Sequence, residues 1–384
     1  MDGQKYKIVY CTPALYSAGG VERIVSVKAS YFAEHYGYDV TVIVTEGEGR
    51  SSFFPLSDKV KVVNLELGFE ELWRASFLKK VWLYLKKQRR FKRRLTAELM
   101  RIRPDFTISM LRREVNFITT IKDGSRKIGE LHVNKANYRN FEANETNVLK
   151  KLFAQVWMNS LVGKLKKLDR LVVLTENSKA AWPELSNVVV IPDPLPFETS
   201  SVSSLTTKRV ITIGRYAYQK GYDMLLLAWA EVVRDFPDWQ LAIYGMGDQS
   251  GCRQLMRELS LDTNQCQLNG PVNDVTREYL NSSVFVLSSR FEGFGLVLIE
   301  AMSCGVPVVS FDCLSGPDEI ITDGKDGLLV PVGDVQTLAD RMKSLMRDTT
   351  LREHLAVHAR QRSEDFRIEK IAARWVQLFD QLKC

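Results

Sequence analysis

The segment SSRFEGFGLVLIEAMSCGVPVVSF, residues 288–311, carries two glutamates eight residues apart, Glu292 and Glu300. Glu292 is expected at a strand end and Glu300 on the helix that Gly293-Phe294-Gly295 opens, so at 1.5 Å per residue the carboxylates stand roughly 12 Å apart. A paired acid and nucleophile needs roughly 5 to 9.5 Å. The spacing suits instead the two ends of one elongated ligand, with the free N–H groups and positive dipole end of the helix start between them for a phosphate. A nucleotide sugar has that layout: sugar hydroxyls at Glu292, diphosphate on the Gly293 to Leu296 amides, ribose diol at Glu300. A plain glycine-rich turn with two incidental glutamates accounts for the same residues.

Arg215 and Lys220, in GRYAYQKGYD, stand five residues apart after a strand-like run. Two cations there would clamp a diphosphate leaving group by neutralising its developing charge, without a metal. Solvated loop charges are the plainer account. YGMGD, with Gly245, is a strand-end turn expected to line the nucleotide pocket, and it is not a G-x-G-x-x-G fingerprint. His354 and His358 have the i, i+4 spacing of metal ligands, but with charged flanks and no third ligand nearby they read as a solvated helix face. No metal site is expected, and no Asp-x-Asp occurs in the chain.

The elements that must position these residues alternate. KIVYCTP leads through Ser17-Ala18-Gly19-Gly20 into a helix over about 21–35 and then VTVIVT; RVITIGR leads through Tyr218-Gln219-Lys220-Gly221 into MLLLAWAEVVRDF and then WQLAIYG. Two such starts predict an α/β chain of two Rossmann-like, doubly wound domains facing across a cleft, with ligands at the carboxyl ends of the strands. The expected division is residues 1–195, residues 196–365, and a C-terminal helix over 366–384 that packs back on the first domain. Pro192-Asp193-Pro194-Leu195-Pro196 and the Ser/Thr-rich stretch after it read as the linker.

Together GRYAYQKGYDMLLLAWA, YGMGD, SSRFEGFGLVLIEAMSCGVPVV, GPDEII and DGKDGLLVPVGD resemble, in the family's order, the donor domain of retaining glycosyltransferases of the GT-B fold, family 4 (glycosyl transferases group 1). SAGGVERIV carries a looser likeness in the first half. The resemblance implies a nucleotide-sugar donor, UDP foremost, retention at the anomeric carbon, and no cofactor or divalent cation. It puts Arg215 and Lys220 on the diphosphate with the amides of Phe294, Gly295 and Leu296, Glu292 near the donor sugar and Glu300 on the ribose. Gly19 and Gly20 match a loop that lets backbone approach the donor phosphate, although a tight turn would also need them. Glu130-Leu131-His132 resembles the acceptor-side histidine segment, where His132 would hydrogen-bond a donor hydroxyl or the incipient acceptor. Asp318 and Glu319 fall near the sugar by family position, or else cap a short helix.

Of 384 residues 45% are hydrophobic, which excludes a disordered chain, and no apolar window reaches the length of a membrane span. Neither a span nor a cleaved signal peptide is expected, and six cysteines without CxxC spacing suit reduced thiols of a cytoplasmic protein. The net charge of +7 is uneven: residues 1–200 hold 33 Lys+Arg against 22 Asp+Glu, and the remainder 20 against 24. Much of the excess lies in FLKKVWLYLKKQRRFKRR, residues 77–94. Phe77, Val81, Tyr84, Phe91 and Leu95 form a helical stripe there, flanked by Trp82 and Leu85 and nine Lys/Arg. That pattern fits a helix lying on the cytoplasmic face of an anionic membrane, and equally a surface helix packing its stripe on the first sheet. The expected partners are therefore a nucleotide-sugar donor, a glycan or lipid-linked glycan acceptor of cell-surface polysaccharide synthesis, and peripherally such a membrane. A GDP-mannose donor is the alternative within enzymes. A basic nucleic-acid-binding protein with a degenerate nucleotide fold is the alternative outside them, opposed by cations gathered on one helix and not interleaved with stacking aromatics.

Overall fold

The computed structural model describes residues 4–47, 49–74, 76–138, 148–272 and 274–383, without the side chains of 73, 74, 77, 78, 137 and 148–153. Two compact units divide the chain: Met1–Leu174 with Ser178–Pro194 and Ile368–Cys384, and Thr175–Asn177 with Leu195–Arg367.

The first unit is built on a seven-stranded, all-parallel sheet of β1 (Lys7–Thr12), β2 (Asp39–Val44), β3 (Lys61–Asn64), β4 (Phe106–Ser109), β5 (Arg126–Leu131), β6 (Arg170–Val173) and β7 (Val188–Val190) in the order β3-β2-β1-β4-β5-β6-β7. The second holds six parallel strands, β8 (Arg209–Ile213), β9 (Gln240–Tyr244), β10 (Cys266–Asn269), β11 (Val284–Leu287), β12 (Val308–Asp312) and β13 (Leu328–Pro331), in the order β10-β9-β8-β11-β12-β13. Both orders reverse direction beside the first strand of the unit, the doubly wound pattern in which ligands bind at the strand ends around the reversal. Central strands such as β4 and β11 are buried at every residue, because helices cover both faces; this is why they read as unbroken apolar runs.

The helix Gly20–His35 turns Ile24, Val25, Ala29 and Phe32 inward. Helix Ile368–Lys383, the last of the chain, belongs to the first unit and packs Ile371, Trp375 and Phe379 into one core with Tyr6, Phe32 and Phe106. In the second unit the helix Tyr222–Asp235 buries Leu225, Leu226, Trp229 and Val232 against the sheet. Cys11, Cys266, Cys304 and Cys313 are buried free thiols and Cys252 is partly buried; Cys384 lies outside the described residues. Among the described residues no helix is long and apolar enough to cross a membrane.

The helix Phe77–Ile102 divides along its length. Phe91, Leu95 and Leu99 are buried in the first unit's core, whereas Val81, Trp82 and Leu85 are about half exposed or more. The side chain of Phe77, expected in the same stripe, lies outside the described residues.

Candidate functional site

In the second unit the reversal falls between β8 and β11, and the loops that leave these strands carry the predicted residues. Lys220 Nζ donates to Glu292 Oε1 at 2.6 Å, and Ser289 Oγ donates to the same oxygen at 2.6 Å. Glu292 lies in the loop beyond β11 and not on its end, and it is 7% exposed. The two loops are stitched together: Ser288 Oγ donates to the Lys220 carbonyl at 2.8 Å, and the Arg290 N–H to the Gln219 carbonyl at 2.8 Å. Arg290 also forks onto Asp223 at 2.8 and 2.5 Å. Gly221 has φ of +62°, and a Cβ there would collide with the Ser288 carbonyl oxygen, so glycine is what lets the loops close.

Arg215 is exposed, and among the described residues it forms no ion pair. Its charge is therefore not already spent on the protein. Gly245 sits against the backbone of Gly214, whose carbonyl oxygen a Cβ would strike. Close pairing of the β8 and β9 ends thus accounts for this glycine by itself.

The helix Leu296–Ser303 starts at Gly295, with φ of +102°. Its first N–H groups have no acceptor one turn back, and the amides of Gly295 and Leu296 donate to no backbone carbonyl among the described residues. Phe294 is buried and packs edge-on against Phe366 at 5.5 Å. Farther along the helix, Glu300 is 2% exposed and accepts from Tyr279 Oη at 2.9 Å. Tyr279 has no local pattern that singles it out. Asp318 and Glu319 are engaged with their own unit: Asp318 accepts from Asn177 Nδ2 at 2.8 Å, and Glu319 from the amides of Glu176 and Asn177 at 2.7 Å each.

In the first unit, Gly19 is the N-cap of the helix Gly20–His35 with ordinary φ of −93°. A Cβ on Gly20 would meet nothing within 4 Å, and one on Gly19 would meet only the flexible Glu22 side chain. No backbone strain and no protein wall requires glycine at 20, so the tight-turn account fails there.

His132 follows β5 and is held at both ring nitrogens. Nε2 is 3.1 Å from Glu130 Oε1 and Nδ1 is 3.2 Å from Asp193 Oδ2, so neither nitrogen is left for a substrate in this arrangement. Lys28 Nζ pairs with the same Glu130 oxygen, 1% exposed on both sides, and lies 4.5 Å from the Trp375 ring centre. Burial by itself would lower the His132 pKa; the Asp193 and Glu130 carboxylates override it and hold the imidazole to about 9. For Glu130 burial pulls upward, and Lys28 and His132 together bring it well below the usual carboxylate range. The result is a buried chain of alternating charges, Lys28, Glu130, His132, Asp193. Glu130 Oε2 and Asp193 Oδ1 are buried without a protein partner.

Glu130, His132 and Asp193 also offer three ligand atoms within 4.8 Å of one another. A divalent cation would have to enter beside the Lys28 ammonium and displace a proton from the imidazole, so the charges present disfavour it. His354 and His358 lie on a solvated helix face with ring centres 4.3 Å apart and planes tilted by 42°, and the His358 Nδ1 is 2.9 Å from the His354 carbonyl.

Residues 197–362 match the family described as glycosyl transferases group 1. An exopolysaccharide phosphotransferase of Streptomyces coelicolor is 38% identical over 223 residues, 56% of this chain and 24% of that protein, so the chain spans about a quarter of that relative's length. The amylovoran biosynthesis glycosyltransferase AmsD of Erwinia amylovora is 26% identical over 96% of this chain and 98% of its own. Among solved structures, a point mutant of S. aureus TarM in complex with fondaparinux, alpha-GlcNAc-glycerol and UDP superposes with a TM-score of 0.78 at 16% identity, covering 97% of this chain and 99% of that one. That likeness is one of fold, and the fold is GT-B.

Proposed function

We propose, for a chain whose residues 197–362 match glycosyl transferases group 1, that it moves a sugar from a UDP-sugar to a glycan or lipid-linked glycan acceptor, with retention and without a metal, in the synthesis of a cell-surface polysaccharide. The observation that carries this reading is the Lys220–Glu292 pair at the meeting of the β8 and β11 loops, with Arg215 unpaired beside it in sequence and buried Glu300 on the following helix. Cell-surface polymers in the names of the relatives, and UDP bound in TarM, support the acceptor and donor classes.

In this reading Arg215, Lys220 and the Phe294 to Leu296 amides stabilise the charge that grows on the diphosphate as the glycosidic bond breaks. Glu292 holds sugar hydroxyls and Glu300 the ribose diol. No carboxylate is assigned as a nucleophile: the departing phosphate takes the acceptor's proton on the same face from which the acceptor attacks, which preserves the anomeric configuration. Gly19 and Gly20 let backbone approach a phosphate. His132 acts as a fixed imidazolium and not as a proton shuttle. The exposed part of the helix Phe77–Ile102 rests on anionic lipid.

The test separates the two glutamates. Glu300→Gln should weaken UDP itself by roughly ten- to a hundredfold, the scale of losing a charged hydrogen-bond acceptor. Glu292→Gln should spare UDP and slow transfer from the UDP-sugar. Equal losses of UDP affinity in the two variants would refute the assignment, and loss of transfer in excess EDTA would refute the metal-free mechanism.

A further inference from the structure

A cavity of about 680 Å³ opens in the first unit at the carboxyl ends of β1, β2 and β3, lined among others by Tyr16, Glu46, Arg50, Phe53, Phe54 and Asn64. Its volume is that of small-molecule sites, and its place on the sheet is where such sheets bind ligands. None of the residues discussed above as donor or histidine site lines it.

The lining is chemically specific. Phe53 is 41% exposed and sets its ring edge-on to Phe54 at 5.0 Å, so aromatic surface faces the space. The Arg50 guanidinium lies 3.5 Å from the centre of the Tyr16 ring and 3.5 Å from Glu70, which also accepts from Tyr16 Oη. That cation is therefore neutralised, with its flat set of donors held in place. Glu46 is 7% exposed and takes the Phe69 N–H at 2.9 Å, while burial raises its pKa. An anionic ligand would meet Glu46 and Glu70, and Arg50, the cation among the described lining residues, is already paired. A wholly apolar ligand would strip water from the Glu46 carboxylate and from the Arg50 N–H groups that Gly47 and Glu70 leave over. A pyranose satisfies both halves, its C–H face on the rings and its hydroxyls on the guanidinium and carboxylate.

We propose that this cavity holds an uncharged pyranose unit of the acceptor glycan; the proposal rests on the glycosyltransferase reading above. It is tested on the full chain by saturation-transfer difference NMR with the methyl α-glycosides of glucose, galactose, N-acetylglucosamine and N-acetylgalactosamine, with UDP saturating. At least one glycoside should show ring-proton enhancement that falls about fivefold or more in Phe53→Ala, the scale of one lost aromatic contact, and returns in Phe53→Trp. Phe53 is exposed, so the variants should keep the wild-type melting temperature. No enhancement from any of the four, or enhancement indifferent to Phe53→Ala, overturns the proposal. The same samples report on the underlying reading: if UDP fails to raise the wild-type melting temperature, the glycosyltransferase assignment fails, whereas UDP binding without glycoside contact removes the cavity's role alone.

Discussion

Lys220 donates to Glu292 at 2.6 Å across the two loops of the second unit, so the residue assigned to the phosphates and the one assigned to the sugar are held by each other. Glu292→Gln keeps a side-chain oxygen to which Lys220 can donate, whereas loss of the Lys220 ammonium has no such substitute. Removing Lys220 takes the cation from a nearly buried carboxylate that still accepts from Ser289, and such a loss costs about 1–3 kcal/mol.

This coupling separates Lys220 from Arg215. Arg215→Ala should lower turnover by roughly 10²-fold, the scale of a lost charge-stabilising donor, with no change in melting temperature because its side chain is exposed. Lys220→Ala should lose turnover on the same scale and also stability. Steady-state kinetics beside thermal denaturation checks both, and wild-type turnover in Arg215→Ala would remove it from the phosphate site.

Gly20 gives a second test. Nothing in the protein would touch an added methyl group there, so Gly20→Ala should fold as the wild type or slightly better, since an alanine has fewer unfolded conformations to lose than a glycine. If a ligand phosphate approaches that backbone, the same methyl group should raise the donor KM or lower kcat by an order of magnitude. Unchanged kinetics would leave Gly20 without a role.

Much of this site was legible because chemistry and local pattern coincide. The strand ends at Arg215 and Lys220, and the glycine start of the helix before Glu300, follow apolar runs whose burial in a parallel sheet is nearly forced. Lys28 and Asp193 were not read from the sequence. Lys28 left a signal, since it falls on the same helical face as Ile24, Val25, Ala29 and Phe32, where an unpaired ammonium would be costly. Asp193 left almost none: it stands in a proline-rich stretch that composition marks as a linker, yet it is 5% exposed and bonded to His132. Contacts between residues 61 positions apart, and between Tyr279 and Glu300, have no local periodicity to betray them.

The charge chain through His132 predicts a pH response. The chain contains four histidines, so the His132 ring resonances can be assigned by one substitution, and their titration should centre near pH 9 instead of about 6.5. Because the folded pKa is raised, the stability it contributes is fully present below about pH 6.5 and is lost as pH rises through about 9. Glu130→Gln should bring the midpoint down, and Lys28→Met should destabilise the first unit by about 3–5 kcal/mol by leaving Glu130 short of its cation. A midpoint at or below 6.5 in the wild type would show that the carboxylates do not hold the imidazolium, and would return His132 to consideration as a proton-transfer group.

The basic helix gives the last test, and the structure decides which cations it should use. Lys87 is committed to the protein: it donates to the carbonyls of Leu67 and Gly68 at 2.7 Å each and to Glu71 at 2.9 Å, and Arg94 donates to the Leu65 carbonyl. Replacing them would disturb the fold. Lys86, Arg89, Arg90 and Arg93 are exposed instead, and they extend along the helix from the exposed Trp82 and Leu85, with Lys86 5.1 Å from the Trp82 ring centre. If this surface rests on anionic lipid, each of the four should contribute roughly 1 kcal/mol to binding. The wild type should co-sediment with phosphatidylserine-containing vesicles, release at high salt as the attraction is screened, and stay in solution when all four are replaced by serine. Trp82→Ala should weaken binding with little salt dependence, since it removes insertion and not charge. Absence of wild-type binding even at low salt would leave this helix as a packing element, with Phe91, Leu95 and Leu99 its sufficient explanation.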